Sequence, residues 1–475
     1  MPYSSNASGF SRRHLLQALG SGLLLGAASS PNVWAQAAPA GARRLGQGRL
    51  VVVFLRGAYD GLSAFVPYAD ADYYAIRPNI AIAAPDGSAQ TALKLDNTFA
   101  LHPALAPLMP LWQQGVLGFI PAAGLPTPNR SHFDAQYQME IAQSGKTSAA
   151  SGWLNKLAAF DSVPAAMGVG TNAPPSAIGV GEANPAILAG EAKVKLIPRG
   201  QAAERTGVLA NDKTRQALMD LYAGNDKVSE AFRQGAGSRM QSAQELTTEK
   251  MGADDRRNTA LRENTRAADR AAEKTMNRQL DRDGTPANTQ AQSAQMLAAS
   301  NGAADPVGLQ LDAQHLGTLM RSDRSLAIGF LSAGGWDTHA NQGNATGQLA
   351  NNLGNLGRAI TQLRQDFSEP GDVVMVMSEF GRTSAENGTR GTDHGFGNAL
   401  WLIGNRVNGG RWHGQWTGLA RGNLNEARDL PAHHDYRAVL AQVLRSTFAL
   451  PDSALASVLP DTRWDTRLDG LLRRT

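Results

Sequence analysis

Short apolar runs separated by polar loops set the predicted fold class of this chain. The clearest runs are Leu50–Leu55 and residues 325–331, 373–377 and 399–403. Each is short and mostly apolar, which is typical of strands that a sheet buries on both faces. Between the second and third runs, apolar residues at four-three spacing predict an amphipathic helix: Leu349, Leu353, Leu356, Ile360, Leu363 and Phe367. This strand, helix, strand order predicts an α/β fold with a mainly parallel, doubly wound sheet.

The residue composition of the chain changes between about residues 203 and 304. Aromatic residues become rare, and basic residues recur at every fourth position: Arg262, Arg266, Arg270, Lys274, Arg278 and Arg282. Nine basic and nine acidic residues between Glu245 and Asp283 favour lacing by ion pairs over an anion-binding stripe. We therefore expect a helical charged insertion over residues 203–304, between a first part of the α/β core (36–202) and a second part (305–475).

The N-terminal segment has the residue pattern of a targeting signal. Arg12 and Arg13 precede a weakly apolar run over residues 15–28, and small residues follow up to Ala35. This order resembles a twin-arginine export signal, so residues 1–35 are predicted to be a signal peptide removed on export. The mature protein is expected to be periplasmic or secreted and exported folded. No other stretch approaches the roughly 20 apolar residues of a membrane span, so no stable span is expected after cleavage.

The net charge and the absence of cysteine limit the partners and the catalytic groups that the chain can use. The formal net charge is +4, and removal of the signal with its two arginines and no acidic residue leaves +2 (4 minus 2). This small excess gives no reason to expect a nucleic-acid partner. The chain has no cysteine, which excludes thiol chemistry and Cys-ligated metals. Carboxylates, imidazoles and hydroxyls remain as candidate ligands and catalysts.

Acidic and histidine side chains follow the predicted strands or directly precede them. In a parallel sheet the carboxyl ends of the strands share one edge, so these side chains are expected to meet there. Carboxylate and imidazole together suit a divalent metal. An alternative is that Glu379 pairs with Arg382 and that Asp393 caps a turn. The candidates are Asp60, Asp337, His339, Glu379, Asp393 and His394.

Ser131 begins a predicted helix through Ile141 and is followed three residues later by Asp134. A capping box variant explains this spacing. The same position also places a hydroxyl at the positive end of a helix, where a nucleophile facing an anionic substrate would lie. Ser131 is therefore the candidate catalytic residue, with helix capping as the alternative.

The order of these features resembles the alkaline phosphatase and sulfatase superfamily. More narrowly, the export signal together with Gly-Gly-Trp-Asp-Thr-His (334–339), Ser-Glu-Phe-Gly-Arg-Thr (378–383) and Gly-Thr-Asp-His-Gly (391–395) resembles the DUF1501 family of exported bacterial proteins. The superfamily resemblance implies an alkaline phosphatase-like sheet with one or two metal ions, usually zinc, at its carboxyl edge. By that resemblance Asp337, His339 and His394 would hold one ion. The second would be held by Asp60, Ser131 and either Glu379 or Asp393.

The function that the superfamily resemblance implies is an exported metal-dependent hydrolase of phosphate-type esters, with a small anionic ester as substrate. Sulfate ester hydrolysis is disfavoured because the segment from Ser131 to Ala135 lacks the Cys/Ser-x-Pro/Ala-x-Arg pattern of sulfatases. The alternative is a non-catalytic periplasmic binding or envelope-assembly protein that retains the fold, since a fold does not guarantee activity.

Overall fold

The computed structural model describes residues 48–145, 151–160, 175–263 and 288–473. The predicted export signal, residues 1–35, lies outside these residues, as does most of the basic repeat of the insertion. Within them the chain forms an α/β fold with a mixed, mostly parallel central sheet flanked by helices. The predicted fold class is confirmed at this level.

The strands and helices of the described residues follow in chain order. The strands are β1 (Leu50–Leu55), β2 (Phe65–Val66), β3 (Leu93–Lys94), β4 (Ala100–Leu101), β5 (Leu117–Gly124), β6 (Ala177–Gly181), β7 (Val194–Pro198), β8 (Ile328–Ala333), β9 (Val373–Ser378), β10 (Asn398–Ile403), β11 (Arg411–Trp412) and β12 (His434–Asp435). The helices are α1 (Gly61–Ala64), α2 (Ala71–Ala75), α3 (Met109–Gln113), α4 (His132–Ile141), α5 (Trp153–Ala159), α6 (Asp212–Leu221), α7 (Lys227–Glu263), α8 (Asn288–Ser300), α9 (Leu309–Ser322), α10 (Gln348–Asp366), α11 (Tyr436–Phe448) and α12 (Asp452–Val458).

The main sheet has the strand order β11-β5-β10-β9-β1-β8-β6-β7, and β12 also pairs with β5. Strand β1 pairs in parallel with both β8 and β9, so that Leu55 lies opposite Ala333 on one side and Ser378 on the other. Strand β10 is antiparallel to both of its neighbours. The strands that precede Asp60, Asp337 and Glu379 are therefore adjacent and end at one edge, as predicted from the sequence.

Both faces of the sheet are covered, which explains why β1 is apolar at every position. Its even-numbered residues share one core with helix α11: Leu50, Val52, Phe54, Val439, Leu440 and Val443. Its odd-numbered residues share a second core with helices α9 and α10: Val51, Val53, Leu55, Leu316, Leu353 and Ile360. A shift of one residue would exchange the two sets, and both cores would then have to repack, because the set Leu50, Val52 and Phe54 differs in size from the set Val51, Val53 and Leu55.

Strand β8 begins three residues later than the run at 325–331 predicts. Ser325 belongs instead to the turn that follows helix α9, where its backbone N–H donates to Asp323 Oδ1 at 3.1 Å. An Asp that accepts a hydrogen bond from a backbone group two residues on is an Asx turn, which competes with strand pairing. The strand therefore runs from Ile328 to Ala333 and ends closer to the candidate residues.

The described part of residues 203–304 contains helices α6, α7 and α8. A small separate core lies within it: Leu209, Leu218, Tyr222, Phe232 and Ala236. Glu249 of α7 pairs with Arg321 of α9 at 2.7 Å, which connects the segment to a helix of the α/β core. Among the described residues, no helix combines the length and apolarity needed to cross a membrane.

His102 is fully buried at the start of a short 3-10 helix, Pro103–Leu108. Its Nδ1 accepts from the Ala104 N–H at 3.0 Å, and its Nε2 donates to the Asn344 carbonyl at 2.9 Å. Burial disfavours the charged ring and lowers the pKa of His102 to about 4. Protonation of Nδ1 would also break the bond from Ala104.

The buried His102 should make the protein less stable at acidic pH. The unfolded ring has a pKa of about 6.5, so below this pH the unfolded state binds a proton that the folded state does not. The stability that the neutral His102 ring contributes is complete above pH 6.5. Below pH 6.5 it falls by about 1.4 kcal/mol per pH unit, which amounts to a loss on the order of 3 kcal/mol by pH 4. Urea unfolding of the protein and of His102→Asn at each pH measures the difference. An identical pH dependence in both proteins would contradict this prediction.

Candidate metal centre

The loop after β8 carries Asp337 and His339. The Gly335 N–H donates to Ser300 Oγ at 3.0 Å, and Asn352 Nδ2 donates to the Gly335 carbonyl at 2.8 Å. Gly335 has a φ of +80°, which strongly favours glycine. The loop is thus held from both sides, and it directs the Asp337 side chain into a buried position at the sheet edge.

Two histidines from other parts of the chain lie beside Asp337. His132 lies on the first turn of α4, the helix that follows β5. His394 lies on the loop between β9 and β10, where its Nδ1 is 2.9 Å from the Arg130 carbonyl. A carbonyl can only accept, so in the neutral His394 ring this contact holds the proton on Nδ1 and leaves the lone pair on Nε2.

His132, Asp337 and His394 form a cluster that could hold a metal ion. Their Nε2, Oδ1 and Nε2 atoms converge, and one ligand atom from each lies within 4.8 Å of the others. The two Nε2 atoms are 2.9 Å apart, and Asp337 Oδ1 lies 3.4 Å from His132 Nε2 and 3.2 Å from His394 Nε2. We call these three residues the metal cluster.

His339 adjoins the metal cluster from the solvent side. Its Nε2 lies 2.9 Å from Asp337 Oδ1 and 3.0 Å from His394 Nε2. Its Nδ1 lies 2.9 Å from Asp393 Oδ1. His339 therefore contacts two of the three cluster residues directly and is the candidate for a further ligand.

Hydrogen-bond acceptors behind the imidazoles fit a metal site. His132 Nδ1 is 2.7 Å from Glu379 Oε1, and the His394 and His339 Nδ1 atoms face the Arg130 carbonyl and Asp393. Metal-binding histidines almost always donate the other ring N–H to a carboxylate or a carbonyl in this way. Imidazole nitrogen and carboxylate oxygen are also the donor set that zinc accepts in a cysteine-free protein. The residues present therefore fit a divalent transition metal.

Glu379 is completely buried and held by three further donors. The Gly57 N–H donates to its Oε1 at 2.8 Å, Gln136 Nε2 donates to the same oxygen at 3.0 Å, and Ser378 Oγ donates to Oε2 at 2.9 Å. Burial opposes ionisation of Glu379, but the bonds from His132 and Gln136 outweigh it and lower its pKa. The sequence-based alternative of a Glu379–Arg382 pair is wrong, because Arg382 contacts Asp337 instead.

Arg382 places a buried positive charge beside the metal cluster. Its Nη1 lies 2.7 Å from Asp337 Oδ1, and the residue is 2% exposed. Burial opposes ionisation of Asp337, but the hydrogen bonds with His132, His339 and His394, followed by the Arg382 charge, hold the pKa of its carboxyl well below the usual range. Asp337 is thus ionised, and a bound cation would contact the same carboxylate that Arg382 contacts.

His132 titrates in the opposite direction. Burial disfavours its charged ring, but the hydrogen bonds with Asp337 and Glu379 and their negative charges raise the pKa of His132 to about 9. A cation would therefore compete with a proton for the Nε2 atom of His132.

Asp60 is not one of the metal cluster residues, and its carboxylate is bonded to other side chains. Arg77 donates to both of its carboxylate oxygens, at 2.6 and 3.1 Å, and Ser63 and Gln342 donate to Oδ2, each at 2.7 Å. Burial opposes ionisation, but the Arg77 charge outweighs it and lowers the pKa of Asp60. The role of Asp60 as a metal ligand stays a prediction, and the structure gives it a buried ion pair.

A cavity of about 560 Å³ opens above the metal cluster. Five of the seven residues selected from the sequence line it: Ser131, Asp337, His339, Asp393 and His394. Ser131 is the N-cap of α4, and its exposed Oγ accepts from the Asp134 N–H at 3.4 Å. The capping interpretation is therefore confirmed for Ser131, and its role as the catalytic hydroxyl stays a prediction.

Comparison with known proteins assigns the family. The profile of the family described as "Protein of unknown function (DUF1501)" matches residues 47–459. The chain belongs to the DUF1501 family. No curated protein matches the chain. The DUF1501 match includes every residue of the metal cluster and of the cavity above it.

His132 is the residue of this DUF1501 protein that the sequence-based selection missed. It stands directly after Ser131, on a helix that the sequence predicts correctly. The available signal was its place on the first turn of a helix that follows a strand, since such turns lie at the carboxyl edge of the sheet. Spacing along the chain gave no further sign, because 262 residues separate His132 from His394.

Proposed function

We propose that this DUF1501 protein is an exported, metal-dependent hydrolase of phosphate-type esters. The observation that carries the proposal is the convergence of His132, Asp337 and His394 at the base of a cavity, with an acceptor behind each imidazole. A divalent cation held by these residues, zinc in the simplest case, would polarise the ester and neutralise its negative charge. Export rests on the twin-arginine-like segment at the N-terminus.

The proposal extends to the finer fold, that of the alkaline phosphatase and sulfatase superfamily. Its support is the order β9-β1-β8, in which three adjacent parallel strands precede Glu379, Asp60 and Asp337. The simplest form uses one ion, because both oxygens of Asp60 already accept from Arg77. A second ion at Asp60, Ser131 and Glu379 or Asp393 stays a prediction.

The residues around the cavity have distinct roles in this proposal. Glu379 and the Arg130 carbonyl hold the protons of His132 and His394 on Nδ1 and so direct both Nε2 lone pairs to one point. Arg130 also lines the cavity, and its guanidinium is paired with Glu426 at 2.7 Å and with Asp429 at 3.3 Å. Ser131 supplies the hydroxyl at the N-terminus of α4, where the helix dipole favours an anion. The Ser131 Oγ forms a bond to phosphorus, and its proton passes to the ester oxygen, which leaves as an alcohol. Water then hydrolyses the phosphorylated serine, which releases phosphate and restores the hydroxyl.

Replacing Ser131 with Ala should abolish hydrolysis and leave the metal bound. We expect turnover of p-nitrophenyl phosphate by zinc-reconstituted protein to fall by at least about 100-fold, because the nucleophile is lost. Bound zinc, measured by mass spectrometry, should stay unchanged because Ser131 is outside the metal cluster. Absorbance of nitrophenolate measures the rate.

The matched control is Asn211→Ala. Asn211 is the N-cap of α6, where its Oδ1 accepts from the Thr214 N–H at 3.0 Å, away from the cavity residues. Both variants should lose about 1 kcal/mol of stability through the missing cap. Equal turnover by Ser131→Ala and the parent would remove Ser131 from the mechanism. Zinc binding without hydrolysis in the parent itself would favour the non-catalytic binding protein.

A further inference from the structure

One part of the cavity wall is apolar. Phe133, adjacent to His132 on helix α4, lines the cavity and is 57% exposed. Ala298 and Ala299 of helix α8 line the same cavity. A single exposed aromatic side chain is ordinary on a protein surface, but here it lies beside a metal cluster and shares a concave wall with other apolar groups.

The helix that supplies this wall is fixed to the metal centre. Gln136 Nε2 donates to the Ala299 carbonyl at 2.7 Å and also to Glu379 Oε1 at 3.0 Å. Ser300 Oγ accepts from the Gly335 N–H at 3.0 Å, on the loop that carries Asp337. The end of α8 is therefore bonded to α4 and to the loop after β8, so the apolar wall has a defined position relative to the ligand atoms.

A polar part of the wall comes from the loop before β10, and Gln295 of α8 adds a further polar group. Asn387 Nδ2 donates to the His339 carbonyl at 2.8 Å and to Asp393 Oδ1 at 3.0 Å. Thr389 Oγ1 donates to the same carbonyl at 2.6 Å. The cavity thus combines a polar side beside the metal cluster with an apolar side formed by α4 and α8. Its volume of about 560 Å³ falls within the range of small-molecule sites.

We propose that Phe133, Ala298 and Ala299 form a subsite for the organic group of the substrate. The ligand class is a phosphate-type ester or phosphonate that carries an aromatic or bulky apolar group. Its anionic head faces the metal cluster, while its apolar group covers the exposed Phe133 ring and removes apolar surface from water. This inference rests on the proposed function, because it takes the anionic head to bind at the metal cluster.

The test compares two phosphonates that differ only in the organic group. Calorimetric titration of zinc-reconstituted protein should show that phenylphosphonate binds about tenfold more tightly than methylphosphonate, since stacked or edge-to-face rings and buried area favour the aromatic ligand. In Phe133→Ala this ratio should fall close to one, with the affinity for methylphosphonate unchanged. The readout is binding, so it does not depend on turnover.

Leu297→Ala is the matched control. Leu297 lies on α8 next to Ala298 and is 72% exposed, but it does not line the cavity. Its variant should keep the preference for phenylphosphonate. An unchanged preference in Phe133→Ala, or equal binding of both ligands by the parent, overturns the subsite and leaves the hydrolase proposal intact. Failure of the parent to bind either phosphonate contradicts the proposed function and the subsite with it.

Discussion

Replacing His394 with Ala should reduce the affinity for zinc by more than about 100-fold, which is the upper end of the losses that follow from changing outer-shell partners alone. His394 Nε2 lies 2.9 Å from His132 Nε2 and 3.2 Å from Asp337 Oδ1, so its removal leaves two of the three converging ligand atoms. Competition with a chromogenic chelator measures the dissociation constant. The His394 side chain is 25% exposed, so its truncation should leave the fold intact, which circular dichroism checks.

His433→Ala is the control for this variant. His433 is a partly exposed histidine outside the metal cluster, and its Nε2 contacts the hydroxyl of Thr417. Its replacement should leave the affinity for zinc unchanged. Equal zinc affinity in His394→Ala and the parent would exclude the metal cluster as the site and, with it, the hydrolase proposal.

Replacing Asp60 with Ala should destabilise the protein by about 3–5 kcal/mol and leave zinc binding unchanged, because it strips a buried charge of its partner. Arg77 is completely buried, and its guanidinium bonds to both oxygens of Asp60. Without the carboxylate it keeps only the Ser384 and Thr383 carbonyls and the Ser63 hydroxyl as acceptors. Guanidinium-induced unfolding measures the loss, and chelator competition measures zinc affinity.

Asp452→Ala serves as the comparison for Asp60→Ala. Asp452 pairs with Arg445 at the surface, with side chains 84% and 44% exposed. Its loss should change the unfolding free energy by less than about 1 kcal/mol, since exposed ion pairs contribute little. The opposite pattern for Asp60→Ala, with weaker zinc binding and unchanged stability, would make Asp60 a metal ligand, as the sequence suggests.

The sheet could be predicted because its central strands are buried on both faces. Such strands need an apolar side chain at every position, and Leu50–Leu55 shows this directly in the sequence. Helix α11 also begins at a local signal, because the Asp435 side chain caps its first turn by accepting from the Arg437 N–H. Strand β8 was displaced because a local Asp323 turn, invisible to hydrophobic periodicity, occupies its first positions.

The site residues were predictable where they stand next to a strand in the sequence. Asp337 and His339 stand after β8 in the sequence, so the parallel sheet places them at the edge. His132 reaches the same point through β5, which pairs with β10 rather than with β8 or β9. The position of Arg77, 17 residues after Asp60, depends on a tertiary ion pair that no local pattern signals.

The metal cluster is built from chain segments far apart in sequence, which sets when it can form during folding. His132 and Asp337 are contributed by segments on either side of the helical insertion, and 262 residues separate His132 from His394. Pairings over such distances form late, after loop closure has been completed. Since the ligands converge only in the folded chain, an unfolded polypeptide has no such site to load. Under the proposed export in the folded state, the site would already exist in the cytoplasm, so the cytoplasmic metal supply would be the first to offer it an ion.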